Sequence, residues 1–436
     1  MASRVEQELT PHELYQCYKN INKVTSCFLV GLKLSQKLDP EIFEDAIKEL
    51  FLSRRRLKFS IYMEDENKPI LIELSNFPSN CIEFWSTDDD QETLLNKFHN
   101  IYFEFGKRHE LSYKFIIVNN EWIYFICEHT LFDGSSAALI LEDILKILNT
   151  EELPPDPNQY DELELNQISK PSYGLLATKT MESCAPNWIN EKFRYLFNPL
   201  LSNESLKPGW IINTPKKHTY QYPIHIISFD RYDFQTLKEL GKKHGVKFTS
   251  FWSYLNLLSF SKMEDENITL MIPYNVRPLL SDIYERAYGL IVSSIQHIFK
   301  PPNPSTANIE WEYCKNLEKT LSEKNLIYSA GQVGLLDYYD PLDLVKRNIN
   351  KPRSATLEIS NLGLRKWVGM DDLHAKEYIF SQANSLTGAL ITQSIASTNE
   401  KVNIVIGCAP EFEVYFTEYI DNLEYLVKDV LNGNLE

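Results

Sequence analysis

The residues Glu121-Trp-Ile-Tyr-Phe-Ile-Cys-Glu128, then His129-Thr-Leu-Phe-Asp133-Gly134, then Ser135-Ser-Ala-Ala-Leu-Ile-Leu-Glu-Asp-Ile-Leu-Lys-Ile-Leu148, decide how this chain folds. The first block is rich in aromatic and β-branched side chains, the composition of a buried strand. The last block repeats apolar residues at three- and four-residue spacing, which predicts a helix over 134–148 that buries one face. Between them, a His, an Asp and a Gly stand at a strand-to-helix turn. A side chain at a strand end lies at the rim of a sheet, where it reaches substrate rather than core. Asp133 is placed to cap the helix, and Gly134 removes a side chain where backbone or ligand must come close. With nine His and 15 Gly in the chain, H-x-x-x-D-G arises by chance in about 2% of such sequences. Its position at a strand end therefore adds weight that the letters alone lack.

Working outward, a strand over 111–118 meets the 121–128 strand across Asn119-Asn120, a two-residue hairpin signal because Asn tolerates positive φ. Upstream, 25–35 reads as a strand. The segment 39–52 reads as a helix with Asp39 as N-cap and Pro40 at its first position. Further strands are predicted at 56–62 and 70–74, and a helix at 91–101. The texture then changes: 151–172 carries Pro154, Pro155, Pro157 and Pro171 among acidic and polar residues, which reads as an extended linker. Strand–helix alternation resumes over 222–229, 234–244, 249–261, 269–273, 289–299 and 305–319. Late strands follow at 356–359, 389–396 and 402–408, and a closing helix covers 413–431. The expected class is α/β with α+β mixed sheets, in two lobes: 1–152 with the motif, 153–220 as a Pro-rich crossover, and 221–436.

At ~100–200 residues per domain, 436 residues fit two or three core units. Hydrophobic residues make up 43% and charged residues 24%, which excludes a disordered or collagen-like chain. Sixty acidic against 44 basic residues give a net charge of −16, so a nucleic-acid partner is not expected. Arg54-Arg55-Arg56 and Lys242-Lys243 read as solvated helix faces rather than anion sites. Seven dispersed cysteines with no C-x-x-C pair indicate neither a disulfide framework nor a zinc cluster. The opening residues lack the apolar core of a secretory signal, and no stretch approaches the ~18 apolar residues of a membrane span. The expected setting is the cytoplasm, as a monomer. Peripheral contact with endoplasmic reticulum or lipid droplets is left open, because Tyr415, Phe416, Ile420, Leu423, Leu426 and Val427 form an apolar helix stripe for which core packing is the better reading.

The motif has rival readings. His129 and Asp133 as a structural His and a helix cap need no chemistry at all. A metal site is disfavoured because no further His or acidic ligand stands at ligand spacing. Cys127 shares the sheet face of His129 but lies ~7 Å along the strand, too far for proton transfer, and is assigned to the core. Ser135 and Ser136 lack a G-x-S-x-G elbow and read as early helix residues.

His129-T-L-F-D-G resembles the H-x-x-x-D-G motif of the coenzyme-A-dependent acyltransferases that include chloramphenicol acetyltransferase, condensation domains and plant BAHD enzymes. Within that superfamily the likeness is to the fungal alcohol O-acetyltransferases. It is carried also by Ile272-P-Y-N-V-Arg277-P-L-L, Tyr288-Gly289, Ile359-Ser360-Asn361-Leu362-Gly363, Ser385-Leu386 with Ala396-Ser-Thr-Asn, and Val402-Asn-Ile-Val-Ile-Gly407. The BAHD signature DFGWG is absent.

The resemblance implies two chloramphenicol-acetyltransferase-like lobes with a tunnel at their interface and His129 within it. It implies acetyl-CoA as co-substrate, no permanently bound cofactor and no metal, and a hydrophobic alcohol or amine as the other partner. It also implies that Asp133 supports the base structurally and pairs with Arg277 of the other lobe. Gly134, Ser360 and Asn361 would lie near substrate, the last two as oxyanion donors. The chemistry is consistent: a neutral imidazole accepts the proton of an attacking alcohol and returns it to the departing thiolate. An unperturbed imidazole predicts activity rising through pH ~6–7. The expected function is acetyl transfer to a hydrophobic alcohol. N-acetylation of a lipophilic amine such as a sphingoid base, and a catalytically silent CoA-binding protein, are the alternatives.

Overall fold

Asn119 and Asn120 sit at φ values of 53° and 62°, the left-handed pair a tight hairpin requires, so one strand turns directly into the next. In the computed structural model, which describes residues 6–64, 68–105, 110–157, 171, 176, 206–210, 222–306, 308–365 and 373–435, that hairpin anchors the first of three sheets. In chain order the strands are β1 (Glu6–Glu8), β2 (Phe28–Leu34), β3 (Phe59–Tyr62), β4 (Ile70–Glu73), β5 (Ile82–Trp85), β6 (Tyr113–Val118) and β7 (Trp122–Cys127). The later ones are β8 (Ile224–Asp230), β9 (Ile268–Asn275), β10 (Val292–Phe299), β11 (Ala355–Leu364), β12 (Ala375–Gln382), β13 (Ala389–Ser397) and β14 (Lys401–Cys408). The helices are α1 (Pro11–Ile21), α2 (Pro40–Ser53), α3 (Gln91–His99), α4 (Gly134–Leu148) and α5 (Arg231–Lys243). They continue as α6 (Phe248–Ser261), α7 (Trp311–Thr320), α8 (Glu323–Val333), α9 (Pro341–Ile349) and α10 (Glu413–Leu431).

A five-stranded mixed sheet runs β12-β2-β7-β6-β5, and a six-stranded mixed sheet runs β10-β9-β11-β13-β14-β8; β1, β4 and β3 form a small third sheet. Strands β2, β6 and β7 are buried almost throughout, which is why their sequences read as apolar runs without alternation. Helices α2 and α4 cover one face of the first sheet, with Phe43, Ile47, Leu50, Ile140 and Ile144 in its core. Helices α6 and α10 build the core of the second sheet. Phe416, Ile420, Leu423, Leu426 and Val427 of α10 are buried there, so the apolar stripe of the closing helix is core, with Tyr415 at its exposed edge. Among the described residues, no helix is long and apolar enough to cross a membrane.

Most expected elements stand where their patterns place them, while β1, β5 and β12 were not expected and further differences follow. Of the strand expected over 56–62, only 59–62 forms; residues 55–58 make a 3-10 turn, in which Arg56 is ion-paired to Glu13. Asp39 occupies the N-cap position of α2 but its side chain makes no capping bond. Strand β12 falls in sequence within the expected 221–436 lobe, yet it pairs antiparallel with β2 in the first sheet. Helices α1, α8 and α9 were not expected; α1 begins with a reciprocal capping box between Thr10 and Glu13 and Pro11 at its first turn. Most of the expected 153–220 linker lies outside the described residues.

Tyr222, just before β8 at the edge of the second sheet, reaches into the first lobe. Its hydroxyl lies 3.0 Å from the Gln382 carbonyl, 2.9 Å from His99 Nδ1, and accepts the Asn384 N–H at 2.7 Å. Ser381 Oγ sits 3.0 Å from His99 Nε2. Every partner is satisfied if Tyr222 donates to Gln382 and His99 carries its proton on Nδ1. Burial holds that imidazole neutral, its pKa pushed down to about 3. Glycine at 407 makes room for the ring: a Cβ there would stand 2.9 Å from Tyr222 Cε2. Tyr222→Phe is expected to cost about 1–3 kcal/mol, since it strands a buried N–H and a carbonyl, read as a lower denaturant midpoint. An unchanged midpoint would mean that the hydroxyl is not what ties the lobes at this point.

Candidate active site

The site is built where β7 ends. Successive side chains of a strand point to opposite faces, and β7 is buried on both. Cys127 is fully buried and its thiol pKa is raised well above the usual value by burial, so it is an inert core residue as expected. Glu128 accepts the Thr130 N–H at 2.7 Å and the Thr130 hydroxyl at 2.6 Å, and burial pushes its carboxyl up to about 7. His129 follows just beyond the end of the strand. Its ring stacks on Phe28 of β2, with centroids 4.2 Å apart and planes at 25°. A neutral imidazole keeps one ring nitrogen with its lone pair.

Burial and then the Lys19 charge depress the His129 pKa to about 4, against weaker support from Asp133. This corrects the expectation of titration near 6–7. The imidazole is already neutral throughout the physiological range.

Asp133 was left open between helix cap and ion-pair partner; it is both. Its Oδ1 accepts the Ser136 N–H at 2.7 Å, capping α4. Its Oδ2 accepts Arg277 Nη1 at 2.9 Å and the Ile291 N–H at 2.7 Å, both from the second half of the chain. Arg277 is buried and fully engaged. It also donates to the carbonyls of Ala287 and Gly289, to Asn275 Oδ1, and from Nη2 to Ser136 Oγ at 2.8 Å. Ser136 donates in turn to the Gly289 carbonyl at 2.7 Å. It is thus more than an early helix residue: its hydroxyl stitches the helix to the loop between β9 and β10.

That loop follows α4 for ten residues. At Asp143, Arg286 Nη2 binds Oδ1 at 2.6 Å, while the Tyr288 hydroxyl and Arg54 Nη2 bind Oδ2 at 2.7 and 2.6 Å. The basic run 54–56 is therefore not a solvated face, as expected, but structural: Arg54 pairs with Asp143, Arg55 with Glu73, and Arg56 with Glu13 of α1. Arg56 Nε also lies 3.5 Å from the Leu131 carbonyl inside the motif loop. Lys242 and Lys243 do lie exposed, at the end of α5.

Gly134 has a different reason from the one its position suggested. A Cβ there would stand 2.8 Å from Leu362 Cδ2 and 3.6 Å from Phe380 Cε2, so the glycine admits a side chain of β11 from the other sheet. Ser360, two residues before Leu362, is buried and paired across from Ser394 in β13. The Asn361 amide donates to Thr249 Oγ1 at 3.2 Å, and its oxygen accepts the Gly363 N–H at 2.8 Å. That side chain thus makes two bonds within its own lobe and keeps one amide N–H beyond them.

Helix α1 supplies groups that the sequence reading missed. His12 and Lys19 both act electrostatically on His129, and burial pushes the His12 pKa to about 4. Thr10-Pro11-His12-Glu13 was a legible helix start. Nothing local in it showed that the helix would end up beside residue 129.

The interlobe pair gives a test. Asp133→Ala and Arg277→Ala each leave a buried partner uncompensated, at about 3–5 kcal/mol by chemical denaturation. The double variant should be little less stable than either single one, because the two act as a unit. Full additivity of the two losses would mean that the pair does not hold the seam.

The sequence model of the alcohol acetyltransferase family matches residues 72–419. An uncharacterized protein of Schizosaccharomyces pombe is 23% identical over 409 residues, 88% of this chain and 87% of its own. The N-acetyltransferase SLI1 of Saccharomyces cerevisiae is 21% identical, over 98% of this chain and 99% of its own. The solved structure of TRI3 trichothecene 15-O-acetyltransferase from Fusarium sporotrichioides covers 98% of this chain and 95% of its own, with a TM-score of 0.68 at 11% identity. That likeness is one of fold: two lobes of mixed sheet, as the motif implied. With the family model spanning most of both lobes, this chain belongs to the alcohol acetyltransferase family of CoA-dependent acyltransferases.

Proposed function

We propose that this protein transfers the acetyl group of acetyl-CoA to the hydroxyl of a hydrophobic alcohol, with His129 as general base. The observation that carries this reading is the state of His129: stacked on Phe28 at the end of β7 and held neutral by burial. The free nitrogen accepts the hydroxyl proton as the alcohol oxygen attacks the acetyl carbonyl. Collapse of the tetrahedral intermediate breaks the C–S bond, and the proton passes from the imidazolium to the departing sulfur. The products are an acetyl ester and CoA thiol. A depressed pKa makes the imidazolium a strong acid, which favours that second transfer. Asp133, engaged with Ser136, Ile291 and Arg277, holds the turn that aims His129 rather than acting as a base itself.

N-acetylation of a lipophilic amine is the second reading, because a relative carries the name N-acetyltransferase. The electrostatics beside His129 favour the alcohol: the Lys19 cation that disfavours imidazolium disfavours an ammonium in the same place.

Thiol release from acetyl-CoA, followed while alcohols, sterols and amines are offered in turn, separates these readings. His129→Ala should lower kcat by about 10²–10⁴-fold with its melting temperature near that of the wild type. Retention of more than about a tenth of the activity would remove His129 from the mechanism.

The pH profile is the independent check. With the His129 pKa near 4, the competent neutral form dominates above about pH 5, so kcat/KM should be flat from pH 6 to 9 and fall only toward pH 4. A rise centred on pH 6–7 would mean that an ordinary, solvated imidazole is the titrating group.

A further inference from the structure

Strand β7 does not release the chain at Cys127. Glu128 donates its backbone N–H to the Ser112 carbonyl at 3.2 Å, which carries the pairing with β6 one residue beyond the strand. In the β2–β7 ladder Phe28 stands directly across from Cys127, so the two side chains share a face of the sheet. His129, two residues on, reaches that same face while residue 128 stays extended. Its ring does meet Phe28, with centroids 4.2 Å apart. The chain turns at once, over 129–131.

The side chain just before His129 holds it at the start of that turn. Glu128 Oε2 accepts both the N–H and the hydroxyl of Thr130, at 2.7 and 2.6 Å. These bonds run from residue 128 to residue 130 and close a small ring whose one intervening residue is His129. A local side-chain bond of this kind fixes the backbone dihedrals it spans, and with them the direction of the His129 Cα–Cβ bond. Glu128 and Thr130 are both buried, so water does not compete for either group. Further along, Arg56 Nε lies 3.5 Å from the Leu131 carbonyl, and Asp133 donates its N–H to the Gly289 carbonyl at 3.2 Å. Those contacts grip the turn after His129; the bonds to Glu128 span it.

Both bonds use one oxygen. Burial pushes the Glu128 carboxyl up to about 7, so a proton comes and goes near neutrality. With Oε2 occupied as an acceptor, that proton is carried on Oε1, and the two bonds to Thr130 persist in either state. An amide offers the same acceptor oxygen, and a methyl group does not. We propose that Glu128 is a positioning residue of this active site: its carboxyl oxygen, bonded to Thr130, aims the His129 imidazole for proton transfer without touching substrate itself. This rests on His129 acting as the base in the reading above.

The test measures kcat and KM by thiol release from acetyl-CoA, using the acceptor that the wild type turns over fastest among the alcohols, sterols and amines offered above. Rates are taken per folded molecule, counted by near-ultraviolet circular dichroism. Glu128→Ala should lose about 10²-fold in kcat, the cost of a displaced catalytic group, with both KM values within about twofold. Glu128→Gln should restore kcat to within about threefold of the wild type at every pH from 6 to 9, because the acceptor oxygen is kept. Thr130→Val keeps the N–H bond and should lose less than Glu128→Ala. The double variant Glu128→Ala/Thr130→Val should be little worse than Glu128→Ala alone. A Glu128→Ala kcat above about a tenth of the wild-type value overturns the inference. So does a glutamine variant as poor as the alanine one, which would put the role in the charge, or a double variant in which the single losses multiply in full. If Glu128→Ala does not fold, Thr130→Val decides: a loss confined to kcat supports the inference, and an unchanged kcat overturns it. Turnover of amines alone refutes the alcohol reading and leaves this inference standing. Full activity of His129→Ala, or a wild type that turns over no acceptor, refutes the base and the inference together.

Discussion

Two carboxylates on one helix, Asp133 and Asp143, receive Arg277, Arg286 and Tyr288 from a single loop of the other half of the chain, and the relation of the lobes depends on that seam. Asp133, Asp143 and Arg277 are buried, so they have no alternative partner in water, while Arg286 is partly exposed. In such surroundings an ion pair is costly to form and much more costly to break, because removing one member leaves its partner stranded. The stabilisation gained over a well-packed apolar seam is small. What the pairs supply is register: the lobes meet in one place, with Ser136 and Gly289 hydrogen-bonded across the join.

The chemistry at His129 follows from that register. Asp133 caps α4 and grips Arg277 with the same carboxylate group, so the turn carrying the imidazole is fixed from both lobes. Gly134 allows Leu362 of β11 to close against the turn, and Phe28 backs the ring from the first sheet. Burial then keeps the imidazole neutral, with Lys19 adding to the effect. In the transfer proposed here, an imidazole of low pKa is a modest proton acceptor whose conjugate acid readily delivers the proton to a leaving thiolate.

The sequence by itself determined the local order of the molecule. Apolar runs gave the buried strands, Asn119-Asn120 gave the hairpin, and the apolar spacing after Gly134 gave a helix with the bounds seen. These are legible because strand and helix periodicity, turn chemistry and capping act within a few residues. The pairing of Asp133 with Arg277 was readable only through the family likeness. Tertiary structure alone decided that β12 would cross into the first sheet, that Arg54 and Arg56 would be buried, and that the charges of α1 would act on His129. It also decided the pKa of His129. Burial and charges brought from more than a hundred residues away set that value, and no spacing along the chain encodes them.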